Sequence, residues 1–274
     1  MKSRVRKGRG PTTGISISPI ADSFAAESGD VDLAAIKQAF WNYAVLIFPG
    51  QKLTEQRHLD FAAAFGPLET SVAALNVNAR LRLRSDLAGV SNLNSCNEIW
   101  QENSRTRMIP PIGGHTEFAD LRAAYDALPD EFKARLDGLI AEHSLANSRL
   151  RTGFTNFTEK EREGLPPVPQ LIVRTLPEKN RKTLYIASHA GRIFGLPDAE
   201  GRALIDQLIE HATQRRFVYT HRWRLNDLVM WDDRCTMHRG TEFDDLRWTR
   251  DMQRATVSDI ANSCEQESVA VPAT

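Results

Sequence analysis

The sequence predicts an α+β, mainly β or jelly-roll fold with helical cover, and three features of its patterning carry that prediction. Helix-periodic stretches gather in the first half, and short apolar runs bounded by turn residues spread through the second. The regular strand–helix alternation of a doubly wound sheet is missing. A chain of 274 residues, 41% of them hydrophobic, is long enough to bury one large core. A single domain is expected over residues 13–262, with flexible polar tails at 1–12 and 263–274.

The elements follow in order. Asp32–Tyr43 reads as a helix, because Leu33, Ile36, Phe40 and Tyr43 recur at helical spacing. Ala44–Phe48 is an apolar run closed by Pro49-Gly50, the pattern of a buried strand. Thr54 caps a second helix carrying Leu59, Phe61 and Phe65, and Gly66-Pro67 stops it. A helical pair is expected at Leu121–Ala127 and Asp130–His143, broken by Pro129. Leu171–Thr175 and Thr183–Ala187 read as strands around a Glu-Lys-Asn-Arg turn, and Asp198–Ala212 as an amphipathic helix. Phe217–Thr220, Asp227–Trp231 and Ala255–Val257 read as further strands.

Composition excludes several partners. Lys plus Arg and Asp plus Glu number 35 each, so the balance gives no electrostatic case for nucleic acid. No apolar run is long enough to span a bilayer. The basic residues Lys2, Arg4, Arg6, Lys7 and Arg9 read as a solvated arm, with no apolar segment behind them to make a signal peptide. Cys96, Cys235 and Cys264 fit neither a disulfide framework nor a zinc ribbon, so a reducing, cytoplasmic compartment is expected.

Chemistry concentrates in Asn226–Asp259. An apolar strand, Leu228–Trp231, leads through a polar turn to His238, and Arg250 and Arg254 follow four residues apart. A neutral imidazole can ligate divalent iron, and a guanidinium can clamp a carboxylate bidentately. On spacing alone, a single histidine is more often structural than a ligand, and surface arginine is commonplace.

Trp231-Asp232-Asp233-Arg234-Cys235-Thr236-Met237-His238, followed by Arg250 and Arg254-Ala255-Thr256, resembles the C-terminal signature of the taurine dioxygenase family of iron(II)/2-oxoglutarate-dependent dioxygenases. Asp233 stands where the family usually has Asn. Val45–Gln51, Phe65-Gly66-Pro67-Leu68 and the block Gly113-Gly114-His115-Thr116 resemble its earlier motifs in the same order. The likeness is nearest to the branch acting on phenoxyalkanoate herbicides and related aryloxy acids. The resemblance implies a double-stranded β-helix with flanking helices, iron(II) as cofactor and 2-oxoglutarate as co-substrate. It implies a small anionic, aryloxyalkanoate- or sulfonate-like substrate, and leaves a homo-oligomer open. By position it makes His238 an iron ligand, gives Thr116 and Arg250 the far carboxylate of 2-oxoglutarate, and turns Arg254 toward the substrate anion.

The pattern breaks in the middle. The family's H-x-D motif, source of the other two iron ligands, should follow Asn97–Trp100; here the chain runs through Met108 directly into Ile109-Pro110-Pro111-Ile112-Gly113-Gly114. An internal deletion at Met108–Ile109 is expected, removing the ligand pair and two strands of the jelly roll. His115-Thr116-Glu117 has the spacing of a substitute H-x-E pair, but its block lies beside the co-substrate rather than the metal in the family pattern. One imidazole cannot hold iron against water, so little or no dioxygenase activity is expected. The alternative is a non-catalytic relative that binds small acids or pairs with intact paralogues.

Overall fold

In the computed structural model the described residues are 17–19, 25–28, 33–70, 84–92, 109–151, 163 and 165–272. The Met108–Ile109 join and Cys96 therefore fall at or outside their limits. Two short strands, β1 (Ile17–Pro19) and β2 (Ala25–Ser28), precede helix α1 (Leu33–Tyr43) and strand β3 (Val45–Phe48). Ala44 makes the turn between α1 and β3 in the left-handed region, φ 58°, and its N–H donates to Phe40 O at 2.8 Å. That bond closes the helix while its methyl packs, fully buried, beside Leu176 and Cys235. Helix α2 (Glu55–Ala63) is capped by Thr54, whose side chain accepts from Arg57 N.

Strand β4 (Ala88–Ser91) is followed by β5 (Thr116–Asp120) and helices α3 (Leu121–Asp126) and α4 (Asp130–Leu136). Asp120 is the N-cap of α3, accepting from Arg122 N and Ala123 N, and its carboxylate also pairs with the buried Arg122 guanidinium at 2.9 Å. The second helix stops short of His143. Leu139 N bonds back to Leu136 O, Gly138 turns at φ +73°, and Ile140–His143 becomes strand β6. The expected long helix fails because only glycine enters the left-handed region freely, and Gly138 ends the helical ladder there.

Helix α5 (Leu145–Arg151) and strands β7 (Val168–Leu171), β8 (Val173–Leu176), β9 (Arg181–Leu184) and β10 (Ala190–Ile193) follow. Helix α6 spans Asp198–Ala212 as its periodicity predicts, burying Leu204, Ile205 and Leu208. Strands β11 (Val218–His221), β12 (Leu228–Trp231), β13 (Thr236–Gly240) and β14 (Asp251–Arg254), then helix α7 (Ser263–Gln266), complete the course. The last predicted strand lies one segment early, at Asp251–Arg254 rather than Ala255–Val257; Val257 makes only an isolated bridge to Leu68. The boundary expected after residue 262 falls inside packed structure. Ser263 and Cys264 are buried, and the Ser263 hydroxyl accepts from Leu171 N at 2.8 Å.

Pairing is antiparallel except between β2 and β3, which run parallel. The sheets take the orders β1-β2-β3-β12, β11-β5-β13, β10-β6-β7, β14-β4 and β8-β9. The largest apolar cluster joins α3, α4 and α6 to β6, β8, β9 and β10. A smaller one, of Val45, Ile47, Phe118 and Val229 with Tyr219, Trp223 and Trp231, underlies the cavity described next. No helix among the described residues is long and apolar enough to cross a membrane.

Candidate active site

A cavity of about 410 Å³ opens between β5, β13, β14 and the segment that links β11 to β12. Sheet register fixes what faces it. On β5, Thr116 pairs with Gly240 of β13 and with His221 of β11, and Phe118 pairs with His238. Cross-strand partners share a face and successive residues alternate, so Thr116, Phe118 and His238 point one way. Thr116 and His238 both line the cavity, with the His238 ring 5.1 Å from Trp231 and 6.1 Å from Phe118.

Glu117 points the other way. It is bound on the reverse face by Arg239 at 2.8 Å and Arg215 at 3.4 Å, and those charges hold its carboxyl below the usual range. His115 shares that parity, so the H-x-E pair is turned from His238 and does not complete a metal site with it.

Arg250 and Arg254 flank Met252 on one extended run, and all three line the cavity. Arg250 is tightly placed. Its N–H donates to Asn92 Oδ1 at 2.9 Å, its Nε to Gly114 O at 3.0 Å and its Nη2 to Thr116 Oγ1 at 3.3 Å. Gly113 and Gly114 take φ +74° and +63°, and a Cβ on Gly114 would press on Pro110 and Arg250. Glycine is therefore what lets this turn offer its carbonyl to the guanidinium. Arg254 is half-buried, and its Nε has no hydrogen-bond partner among the described residues. Neither arginine pairs with an acidic side chain among the described residues, and burial alone pulls the Arg250 pKa down. Two half-buried guanidinium groups with no acidic partner among the described residues are chemically suited to anions.

His238 holds Nδ1 3.3 Å from Asp233 Oδ1, which also accepts from Trp231 Nε1 at 2.9 Å. A three-ligand metal site needs more. Among the described residues no three His, Cys, Asp or Glu side chains stand close enough to hold a metal ion. All seven histidines are among those residues. His58 lines the cavity from α2, and His58-Leu59-Asp60 repeats H-x-D spacing, but two helical residues apart are turned by about 200°. Asp60 is exposed and accepts from Gln56 instead. His143 and His189 lie beside each other, ring centres 4.8 Å apart, and His221 pairs with Asp227 at 3.2 Å. The described residues do not fit a three-ligand iron centre.

The family model "Taurine catabolism dioxygenase TauD, TfdA family" matches residues 105–256 of this chain, more than half of it. The chain belongs to the TauD/TfdA dioxygenase family. It is 39% identical to the alpha-ketoglutarate-dependent 2,4-dichlorophenoxyacetate dioxygenase of Cupriavidus pinatubonensis, over 89% of this chain and 98% of that one. It is 38% identical to the (S)-phenoxypropionate/alpha-ketoglutarate-dioxygenase of Sphingobium herbicidovorans, over 83% and 90%. The crystal structure of AAD-2 in complex with Mn(II) and N-oxalylglycine superimposes with a TM-score of 0.78 at 36% identity, covering 92% of this chain and 99% of that chain. The TauD/TfdA jelly roll and the aryloxyalkanoate branch expected from the motifs are thereby shown, as are iron(II) and 2-oxoglutarate as the family's cofactor and co-substrate. The Cupriavidus alignment runs over 281 positions, more than the 274 residues of this chain, so that relative carries residues with no counterpart here. The family match begins at residue 105, beside the expected join.

Thus the four predicted site residues, His238, Thr116, Arg250 and Arg254, line one cavity. Sequence reasoning missed Trp223, whose Nε1 donates to Thr116 Oγ1 at 3.0 Å, and Asn92, which orients the Arg250 backbone. Neither contact is local in the chain, and no spacing announces it.

Proposed function

We propose that this cavity binds 2-oxoglutarate and a small organic anion side by side, the two organic ligands of the family's hydroxylation. The far carboxylate of 2-oxoglutarate lies against Arg250 and Thr116, and the carboxylate or sulfonate of the second ligand against Arg254. Leu53, Val90, Met252 and Trp231 supply apolar wall for an aryloxyalkanoate-like body. In the family's reaction dioxygen is the oxidant: one of its atoms hydroxylates the substrate and the other enters succinate as 2-oxoglutarate loses carbon dioxide. Among the described residues His238 is the candidate metal ligand in that scheme. The buried free thiols of Cys235 and Cys264 support a reducing, cytoplasmic setting.

The observation that carries the proposal is the pair of cavity-lining guanidinium groups with no acidic partner among the described residues. A second reading, a non-catalytic acid-binding relative, is favoured by the donor set around His238, which falls short of three ligands. One experiment serves both. Calorimetric titration of the full chain with 2-oxoglutarate should show saturable binding that Arg250→Ala weakens at least about tenfold. Unchanged affinity in that variant removes the site. Anaerobic titration with iron(II) and 2-oxoglutarate should give no visible charge-transfer band; a normal band, followed by substrate-dependent succinate release once oxygen is admitted, defeats the non-catalytic reading.

A further inference from the structure

We infer that Trp223 is a positioning residue for the co-substrate: its indole N–H fixes the Thr116 hydroxyl so that the hydroxyl proton points at the far carboxylate of 2-oxoglutarate. The inference rests on the reading above, in which Arg250 and Thr116 hold that carboxylate.

A threonine hydroxyl has one proton to give and two lone pairs to receive with. At Thr116 both lone pairs face donors. Trp223 Nε1 donates from 3.0 Å and Arg250 Nη2 from 3.3 Å. The remaining proton is left to be given away, and no hydrogen bond from the Thr116 hydroxyl to a protein acceptor is found among the described residues. Thr116 is 7% exposed, so bulk water is a poor substitute. The cluster is therefore one acceptor short, and the Arg250 fork beside it still has N–H groups to spend. A carboxylate, with two oxygens able to take the hydroxyl and the guanidinium together, meets that shortage.

The indole is well held for the task. Trp223 packs on the cluster of Val45, Ile47, Phe118 and Val229, and meets the His221 ring edge-on at 4.6 Å and 89°. His221 is itself opposite Thr116 across β11 and β5, so Trp223, two residues further on, keeps to the same face. Without the indole N–H, a lone pair of Thr116 is released. The hydroxyl can then turn that lone pair, rather than its proton, toward the anion.

The test is a double-mutant cycle on the full-length, metal-stripped chain, read by calorimetric binding of 2-oxoglutarate. Trp223→Phe keeps a ring in the cluster and removes only the donor. It should weaken 2-oxoglutarate binding about five- to tenfold. Thr116→Val should weaken it as much or more, and the double variant should be no weaker than Thr116→Val alone. A Trp223→Phe loss that persists in full in the Thr116→Val background marks simple packing and overturns the inference. So does an unchanged affinity in Trp223→Phe while Arg250→Ala still abolishes binding. If wild type shows no saturable binding, or Arg250→Ala leaves it intact, the carboxylate site itself fails and the role of Trp223 falls with it.

Discussion

Single residues here gain their meaning from what is missing around them. His143 is buried on β6, stacked on Tyr185 at 5.1 Å, and neither of its ring nitrogens has a hydrogen-bond partner among the described residues. Burial, and the neighbouring His189, pull its pKa from 6.5 to about 3. The folded protein thus refuses a proton that the unfolded chain accepts near pH 6.5. Stability is whole above that pH and falls by up to about 1.4 kcal/mol per unit as pH drops toward 3. His189, lowered in the same direction, adds to the slope. Between pH 7.5 and 5.0 the urea-derived stability should drop by about 2 kcal/mol through His143 alone. His143→Phe, which keeps the stack, should recover that part; equal losses in both proteins refute the assignment. His238, Thr116, Arg250 and Arg254 were legible from the ordered motifs they belong to. Trp223 and Asn92 were not, because their partners lie far along the chain and meet them only once the sheets form.

Elements were legible where one period dominates. Helix α6 shows uninterrupted 3.6-residue spacing behind Pro197-Asp198, and its limits match the expectation at both ends. Strand β6 was hidden, since Ile-Ala-Glu-His prolongs the apolar–polar pattern of α4, and only Gly138 marks the change. Strand β13 follows a turn so closely that its alternation covers too few residues to read. The turn at Gly113-Gly114 decides how well Arg250 is seated. A Cβ on Gly113 would run into the carbonyl oxygen of Glu242, in a left-handed conformation that already disfavours alanine. Gly113→Ala should cost at least about 2 kcal/mol. It should also weaken 2-oxoglutarate binding, because Gly114 O loses its place under Arg250 Nε. Chemical denaturation and calorimetry on the same preparation check both effects, and loss of stability with unaltered binding would show the turn to be structural only.

For the whole molecule, long-range ties fasten the cavity walls to the rest of the scaffold. The Asp120–Arg122 pair is 1% exposed on both sides, and Arg122 Nη1 reaches Asn42 O at 3.1 Å, joining the end of α1 to the β5–α3 corner. Asp232 N bonds Ala44 O at 2.9 Å, and Arg234 links Asp232 to Glu178. Each end of the cavity is thus anchored outside it. The overall architecture could be read from the sequence because the family motifs stand along it in order. Which strands pair could not, because the sheets join distant segments.

That topology has a cost during synthesis. Val45 sits opposite Trp231, and all of β3 is buried. At about 5–20 residues per second, the ribosome releases β3 some 10–40 s before it completes β12. For that interval an apolar strand has one open edge, with β2 able to cover only the other. A chain ended after Asn226 should show no cooperative melting transition, and full-length refolding should run in milliseconds to seconds rather than microseconds. A cooperative melt from the shortened chain would disprove the dependence. The nascent protein is most in need of a chaperone while its strand at residues 45–48 waits for the last quarter of the chain.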